Sequence, residues 1–224
     1  MRQCFSIGLF ALLVLSLPGC GGFRDTKPQL PGNLDTLCMP DYASGFEMYR
    51  YDSSTLLRIV NPWQGADSVS QWVFLSRDDE KPPKGFAGET IDVPVRRIVC
   101  MSSSYVAFLE ALGADSTICA ISGTGYIWSD KVRNRIAGGE IAEAGFDNSL
   151  NFEKLVALKP DVVFLYGLTG KNAVTDKLHE LGLKTVYIGD YVENNPLGRA
   201  EWITVFGEFT GRRELARTLF DSIS

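Results

Sequence analysis

Serine and aromatic side chains follow the apolar runs of this sequence, and their types are suited to ligand binding. Ligands of open α/β sheets bind outside the carboxyl ends of the parallel strands. The segments that this rule selects are residues 102–105, 123–128, 166–169 and 190–193. In the first segment, Ser103 and Ser104 precede Tyr105 and open a predicted helix. Their N–H groups could hold an acidic substituent of a ligand, or their hydroxyls could only cap the helix.

Aromatic residues in the other three segments combine an apolar face with a polar tip, and could wall a large planar ligand. They are Tyr126, Trp128, Tyr166 and Tyr191. Each one alone could equally pack in the core. Their recurrence at three strand ends favours a cleft that binds a ligand.

Few residues are available for catalysis or metal binding. His179 is the only histidine, and its charged neighbours predict an exposed position on a helix. A zinc site needs several His, Cys or carboxylate ligands, and no thiols are paired at metal-binding spacing. Gly123 and Gly125 lack the third glycine of a dinucleotide-binding loop, and no Gly-x-Ser-x-Gly segment indicates a hydrolase. The sequence therefore predicts a binding protein that is not an enzyme and has no resident metal or cofactor.

Residues 151–164 show how the elements that carry these side chains are built. Phe152, Leu155 and Val156 recur at i, i+3 and i+4, which places them on one face of a short helix. Pro160 should end that helix, because proline lacks an N–H and disfavours the α conformation of the preceding residue. Residues 162–166 follow without polar alternation, as in a strand buried on both faces of a parallel sheet. The segment is half of a βαβ unit.

Strands and helices alternate throughout residues 96–196. Further strands are predicted at residues 98–101, 117–121 and 185–188, and further helices after Ser102 and over residues 173–181. A long loop is expected before residue 152. Such alternation predicts an α/β lobe with a parallel sheet and right-handed crossovers.

Different patterns flank this lobe. Residues 20–41 carry Gly, Pro, Asp and Asn without periodicity and are typical of a flexible tether. Residues 42–95 contain short β-branched and aromatic runs between turn residues, which predicts a small antiparallel β extension. Residues 197–224 keep a helical spacing of apolar residues and predict one long helix. Because no capping residue follows Ile223, we expect the chain to stop in mid-helix, as a truncated product would.

The first residues predict export. Arg2 precedes an apolar run over residues 5–17, which has the length of a signal-peptide core and is short for a membrane span. The run ends at Cys20 and resembles a bacterial lipoprotein signal, with residues 1–19 removed and Cys20 lipidated. The alternatives are an ordinary secretory signal and a spanning anchor. The net charge of −5, without a basic stripe, does not indicate a nucleic-acid partner.

Cysteine usage is compatible with an oxidising compartment. Cys38, Cys100 and Cys119 remain after lipidation. Cys100 and Cys119 fall on predicted strands that could be neighbours, so they could form a disulfide. They could equally be small buried residues, as most cysteines within apolar strands are.

Three stretches resemble the N-terminal lobe of a periplasmic substrate-binding protein of the iron-siderophore/cobalamin class, which serves ABC importers. Residues 97–113 resemble its opening strand, Ser-rich turn and helix ending in Leu-Gly. Residues 151–161 resemble its Asn-x-Glu-x-Leu-x-x-Leu-x-Pro-Asp segment. Residues 196–203 resemble the start of the helix that joins the two lobes.

The resemblance implies two α/β lobes with a ligand between them, of which this sequence contains one. It implies that Glu153 docks to an ABC permease and that a second docking glutamate lies beyond Ser224; Glu153 could otherwise be an ordinary solvated residue. The implied ligand is an iron-siderophore, haem or a cobalamin-like molecule, delivered by a lipoprotein of the bacterial cell envelope that faces the periplasm or the surface. The alternative is an envelope interaction protein that uses the single lobe as a scaffold and transports nothing.

Overall fold

Two five-stranded sheets and seven α-helices form the part of the chain that the computed structural model describes, residues 35–146, 149–167 and 173–224. The strands of the first sheet are β1 (Asp35–Cys38), β2 (Phe46–Tyr51), β3 (Ser54–Val60), β4 (Ser70–Ser76) and β5 (Glu89–Asp92). Those of the second sheet are β6 (Ile98–Cys100), β7 (Ile118–Ile121), β8 (Ala142–Glu143), β9 (Val162–Leu165) and β10 (Thr185–Tyr187). The helices are α1 (Ser103–Ala111), α2 (Asp130–Ala137), α3 (Phe152–Leu158), α4 (Ala173–Glu180), α5 (Pro196–Glu201), α6 (Ile203–Thr210) and α7 (Arg213–Asp221).

The first sheet keeps its strands in sequence order. β1 to β4 pair antiparallel, but β4 and β5 pair parallel, so the prediction of an antiparallel extension is wrong for its last strand. The connection over residues 77–88 is long enough for the crossover that a parallel pair needs. The predicted tether is also wrong at its end, because β1 lies within residues 20–41. Cys20 and the predicted signal peptide lie outside the described residues.

The second sheet is parallel throughout, in the order β10-β9-β6-β7-β8, which confirms the predicted lobe. Its strands β6, β7, β9 and β10 are buried along their whole length. The loop predicted before residue 152 is wrong in part, because it contains α2 and β8. Val132 is the one buried residue of α2. The helix therefore lacks the wide apolar face by which it could have been predicted.

Helix α3 and strand β9 confirm that residues 151–164 form half of a βαβ unit, but Val156, predicted on the apolar face of the helix, is 39% exposed. The Asn151 side chain accepts the N–H of Lys154 at 2.9 Å and begins the helix. Leu155 is its fully buried residue. The helix ends at Leu158, and its C-cap Lys159 has a left-handed φ of 47° directly before Pro160.

The prediction of one long helix over residues 197–224 is wrong, because α5, α6 and α7 occupy this region. Between α6 and α7, Gly211 has a φ of 70°, in the left-handed region that favours glycine at helix ends. The turn brings Gly207 against α7, where an added Cβ would lie 2.5 Å from the Ala216 side chain. Close packing of α6 against α7 therefore depends on the absence of a side chain at Gly207. The turn at Gly211 ends the helical run between them.

The two cysteines on the neighbouring strands β6 and β7 are free thiols. The Cys119 thiol donates to the carbonyl of Ile98 at 3.3 Å, and burial raises the pKa of both Cys100 and Cys119. They are small buried residues, and the structure does not contain the alternative disulfide. The Cys38 side chain lies outside the described part of the chain.

Buried carboxylates join the first sheet to the helices that follow the second. Glu201, which is 1% exposed, accepts the backbone N–H groups of Asp41, Tyr42 and Ala43, each at 2.8 Å. Glu193 is also buried and takes the next backbone donors, the N–H groups of residues 44 and 45, at 2.9–3.0 Å. Five consecutive N–H groups therefore end on two carboxylates.

Apolar packing and a third carboxylate complete this junction. Side chains from the inner face of the first sheet and from the parallel lobe form one continuous core. Glu208 accepts the Thr55 hydroxyl at 2.9 Å and pairs with Arg77 and Arg213. The first sheet is thus an integral layer of the fold.

Replacing Glu201 by Gln should lower the free energy of unfolding by about 2–4 kcal/mol. The amide presents a donor to backbone groups that are themselves donors, and the charge that strengthens these hydrogen bonds is lost. Urea unfolding measures the change. Glu180→Gln, on an exposed side chain, is the control and should stay within about 0.5 kcal/mol of the parent. Equally small changes in both variants would contradict a role of Glu201 as an anchor.

Candidate functional site

A groove of about 270 Å³ lies at the carboxyl ends of the parallel strands. Its lining residues are Met101, Ser102, Ser103, Tyr105, Ser122, Tyr126, Phe146, Tyr166, Asp190 and Tyr191. They follow β6, β7, β8, β9 and β10 along the chain, as the strand-end rule for open α/β sheets requires. In the described part of the chain, the groove combines aromatic rings, hydroxyls and one carboxyl group.

Five of the seven residues that were predicted from the sequence to bind a ligand lie together in this groove. They are Ser103, Tyr105, Tyr126, Tyr166 and Tyr191. Ser104 lies beside the groove without lining it: its N–H is engaged by the Ser102 hydroxyl at 3.3 Å. Trp128 is 91% exposed and does not line the groove. The proposed aromatic wall therefore consists of tyrosines, joined by Phe146.

Tyr105 forms the floor of the groove and no part of its open surface. The residue is fully buried, and its hydroxyl lies 3.2 Å from the carbonyl oxygens of both Leu165 and Ile188. Burial raises its pKa well above the usual value of 10.0. Tyr105 thus ties the ends of β9 and β10 together beneath the ligand space.

Asp190 is a groove residue that was not singled out in the sequence. It follows β10 and is 6% exposed. The Ser104 hydroxyl and the Tyr191 N–H hydrogen-bond to it, yet burial prevails and raises the pKa of its carboxyl. Its position at a strand end was the available signal. The N-terminus of α1 therefore already faces an acidic group of the protein, the Asp190 carboxyl, where an acidic substituent of a ligand was considered.

Glu143 is a second residue that sequence reasoning missed. It ends β8 and accepts hydrogen bonds from the N–H groups of Gly123, Thr124 and Gly145 and from the Thr124 hydroxyl, at 2.7–3.0 Å. Burial acts to raise the pKa of Glu143, but these hydrogen bonds outweigh it and lower the pKa. The carboxylate fixes the loop that presents Tyr126, whose side chain is 69% exposed at the rim.

Glu153 lies apart from the groove lining, exposed in the first turn of α3. A carboxylate there is favoured by the positive end of the helix dipole. Its exposure leaves it accessible to a protein partner. The proposed docking role thus concerns a different surface from the ligand groove.

The expectation of an exposed His179 is wrong. Its ring contacts the Thr185 hydroxyl at 2.7 Å and Glu89 at 3.4 Å, so it is half-buried between α4 and the first sheet. Among the described residues, no three His, Cys, Asp or Glu side chains come together as a metal site. Within the same residues, no helix has the length and apolar character needed to cross a bilayer.

A second cavity, of about 310 Å³, lies between the first sheet and helices α6 and α7. It is lined by Met48, Arg50, Thr204, Glu208, Arg213, Glu214 and Arg217. Charges of both signs line it, and Arg213 already pairs with Glu208. It shares no residue with the strand-end groove, which is the better candidate for a ligand.

Comparison with known proteins identifies the family. Residues 98–224, more than half of the chain, match the periplasmic binding protein family. The chain belongs to this family, which confirms the resemblance found in the sequence. The matched region includes the whole groove and begins after the first sheet.

Two uncharacterized lipoproteins of Methanocaldococcus jannaschii are similar in sequence. One is 27% identical over 254 residues, an alignment that covers 100% of this chain and 61% of the relative. The other is 30% identical over 192 residues and covers 84% of this chain and 46% of the relative. The chain therefore spans roughly half the length of these relatives. Because the first alignment covers the whole chain, it includes the first sheet.

Solved structures are similar over part of the fold. A periplasmic haem-binding protein from Pseudomonas aeruginosa overlaps with a TM-score of 0.46 and 19% identity, over 58% of this chain and 43% of that chain. The molybdate-binding protein MolA of Haemophilus influenzae overlaps with a TM-score of 0.47 and 21% identity, over 59% of this chain and 46% of that chain.

Replacing Asp190 by Asn should raise the free energy of unfolding at pH 7. Because burial raises the pKa of Asp190 above its usual 3.8, its contribution to stability is complete below that pH and is lost as the pH rises through the folded-state pKa. Asn keeps an acceptor for Ser104 and Tyr191 without the charge. Urea unfolding over a pH series should show the advantage of the variant shrinking as the pH falls towards 3.8. A pH-independent difference would contradict titration of Asp190, and Asp176→Asn, on the exposed side of α4, is the control.

Proposed function

We propose that the chain is part of the substrate-binding component of an ABC importer, which captures a metal-chelate ligand of the iron-siderophore, haem or cobalamin type. The observation that carries this proposal is the groove, in which tyrosines and hydroxyls converge at five parallel strand ends of a periplasmic binding protein. The function is capture and delivery of a ligand, without catalysis.

The chemistry of the groove supports a large ligand with an aromatic or apolar face. Tyr126, Phe146 and Tyr166 supply ring surface, while Ser103 and Ser122 supply hydroxyls. Aromatic side chains bind such faces with little loss of rotamer entropy. The volume of about 270 Å³ is small for a ligand pocket, most of which measure roughly 300–1,000 Å³. We infer that a further part of the whole protein supplies the opposite wall.

The proposed location is the cell envelope, with the chain held to a membrane by lipid on Cys20. The sequence before Cys20 supports this, as does the similarity to two proteins that are named lipoproteins. Each buried acyl CH₂ contributes about 0.8 kcal/mol, so several acyl chains would anchor the protein without a spanning helix.

Delivery to an ABC permease is proposed to use Glu153. The residue is exposed and carries a charge that the start of α3 favours. Such charges steer encounter and fix register between partners more than they add affinity. A matching arginine on the permease would complete the contact.

The ligand hypothesis predicts tryptophan quenching when the whole protein, including the part beyond this chain, is titrated with ferric siderophores, haem and cobalamin. Tyr126→Ala should weaken binding of the responding ligand about tenfold, because a rim ring that stacks on the ligand is lost. Tyr42→Ala, at an exposed tyrosine outside the groove, is the control. Absence of binding across the panel would contradict the proposal and favour the alternative of an envelope interaction protein. The present chain alone should bind weakly or not at all.

The docking hypothesis predicts that Glu153→Lys leaves ligand affinity unchanged but slows uptake about tenfold, because a charge that steers docking is reversed. Uptake of radiolabelled ligand by cells that contain the cognate permease measures the effect. Glu180→Lys, an exposed charge reversal on α4, is the matched control and should transport normally. Normal uptake by the Glu153 variant would contradict a docking role.

A further inference from the structure

The loop between β3 and β4, residues 61–69, reaches from the first sheet to the ligand groove. Trp63 forms a parallel bridge with Gly167, two residues after the end of β9. A Cβ added to Gly167 would lie 2.6 Å from the Trp63 ring, so the two residues are in close contact. The Trp63 ring also packs edge-on against Tyr187 of β10, with 5.3 Å between ring centroids. The loop therefore packs against the ends of both strands.

The same loop holds one wall of the groove. The hydroxyl of Tyr191 donates to the carbonyl of Gly167, the residue that Trp63 bridges, and the Gln64 backbone acts to lower the pKa of this phenol, although burial prevails and raises it. Pro62 lies against Gly189, where an added Cβ would be 3.4 Å from the Pro62 Cα. The phenol of Tyr191 is thus fixed between the loop and the lobe.

The loop is itself fixed at its base. The N–H of Asn61 donates to the Val69 carbonyl at 2.8 Å, and the Val69 N–H donates to the Asn61 side chain at 3.1 Å. Beyond the loop, the Gln71 carboxamide donates to the Thr185 carbonyl at 2.8 Å and accepts the Tyr187 N–H at 2.9 Å. Gln71 therefore forms with edge strand β10 the hydrogen bonds that a neighbouring strand would form. These bonds fix the position of the loop relative to the groove.

We propose that residues 61–69 are a specificity-determining part of the ligand site, in which Trp63 positions Tyr191 through Gly167 and so sets the width of the groove. This inference rests on the proposed function, since it concerns the same groove. Trp63 does not line the groove and acts through Gly167, Tyr187 and Tyr191. The first sheet, which lies outside the matched family region, would thereby contribute to ligand choice.

Nitration of the tyrosines by tetranitromethane, followed by mass spectrometry, tests the positioning step without any ligand. In Trp63→Ala the nitration rate of Tyr191 should rise at least about threefold relative to that of Tyr126, because the phenol loses its hydrogen bond to Gly167 and gains exposure. Trp63→Phe, which keeps a ring in place, should restore the slow rate. Trp72→Ala, on the opposite face of the same sheet, destabilises the sheet without touching Tyr191 and should leave its rate unchanged. An unchanged rate in Trp63→Ala, or an equal rise in Trp72→Ala, would overturn the proposal.

If Trp63→Ala does not fold, Trp63→Leu gives the same readout. Leucine keeps an apolar side chain in the loop but lacks the ring that packs against Gly167 and Tyr187. Faster nitration of Tyr191 in this variant supports the positioning role, and an unchanged rate overturns it.

Binding of haemin and of a ferric trihydroxamate siderophore to the whole protein tests the specificity step. The ratio of the two affinities should shift at least about threefold in Trp63→Ala and return towards the parent value in Trp63→Phe. If the parent protein binds one or both probes and the variant binds them with unchanged affinities, the specificity inference is wrong while the proposed function stands. If the parent protein binds neither probe, these ligand classes are excluded from the proposed function, and the specificity inference fails with them. The nitration result still decides whether the loop positions Tyr191.

Discussion

The fold depends on two buried carboxylates that receive the backbone of residues 41–45. Glu201 and Glu193 together accept five consecutive N–H groups, and Glu193 also accepts the indole N–H of Trp202 at 3.1 Å. Hydrogen bonds to charged acceptors are about twice as strong as neutral ones, and removing the acceptor would leave buried donors without partners. Gly45 permits this approach, because an added Cβ would lie 2.7 Å from the Trp202 ring. The segment between β1 and β2 is therefore held against α5 and the residues that flank this helix at one defined place.

This junction and the ligand groove share one short segment. Asp190 and Tyr191 line the groove, and two residues later Glu193 holds the backbone of the first sheet. Arg199 reinforces the segment by donating to the carbonyls of Glu193 and Tyr191. A displacement of the first sheet would move residues 190–193 through the hydrogen bonds to Glu193. It would also move Tyr191 through the contact of Trp63 with Gly167. The geometry of the groove thus depends on the first sheet, which lies outside residues 98–224, the region that matches the family.

The parallel lobe could be predicted because its strands are continuous apolar runs, and the groove tyrosines because they follow those runs. Features that depend on single polar residues or on packing could not. Glu193 and Glu201 resemble surface charges in the sequence, since nothing in their spacing shows that a distant backbone segment donates to them. Asp190 is hydrogen-bonded by the Ser104 hydroxyl and Glu143 by the N–H groups of residues 123 and 124, and only the folded chain brings these partners near. The break before α7 depends on the contact of Gly207 with Ala216, whereas periodicity alone predicts a continuous helix.

The electrostatics of the groove constrain the ligand that we propose. Among the residues that the structure describes, Asp190 is the one carboxyl group that lines the groove, and no lysine or arginine lines it. Arg199, which acts to lower the pKa of Asp190, uses its guanidinium on two backbone carbonyls beside the groove. A ligand carboxylate placed against Asp190 would meet a like charge where water is largely excluded, which is unfavourable. We therefore expect the ligand to turn a neutral, aromatic or donor-bearing face towards this lobe and to carry its anionic groups elsewhere.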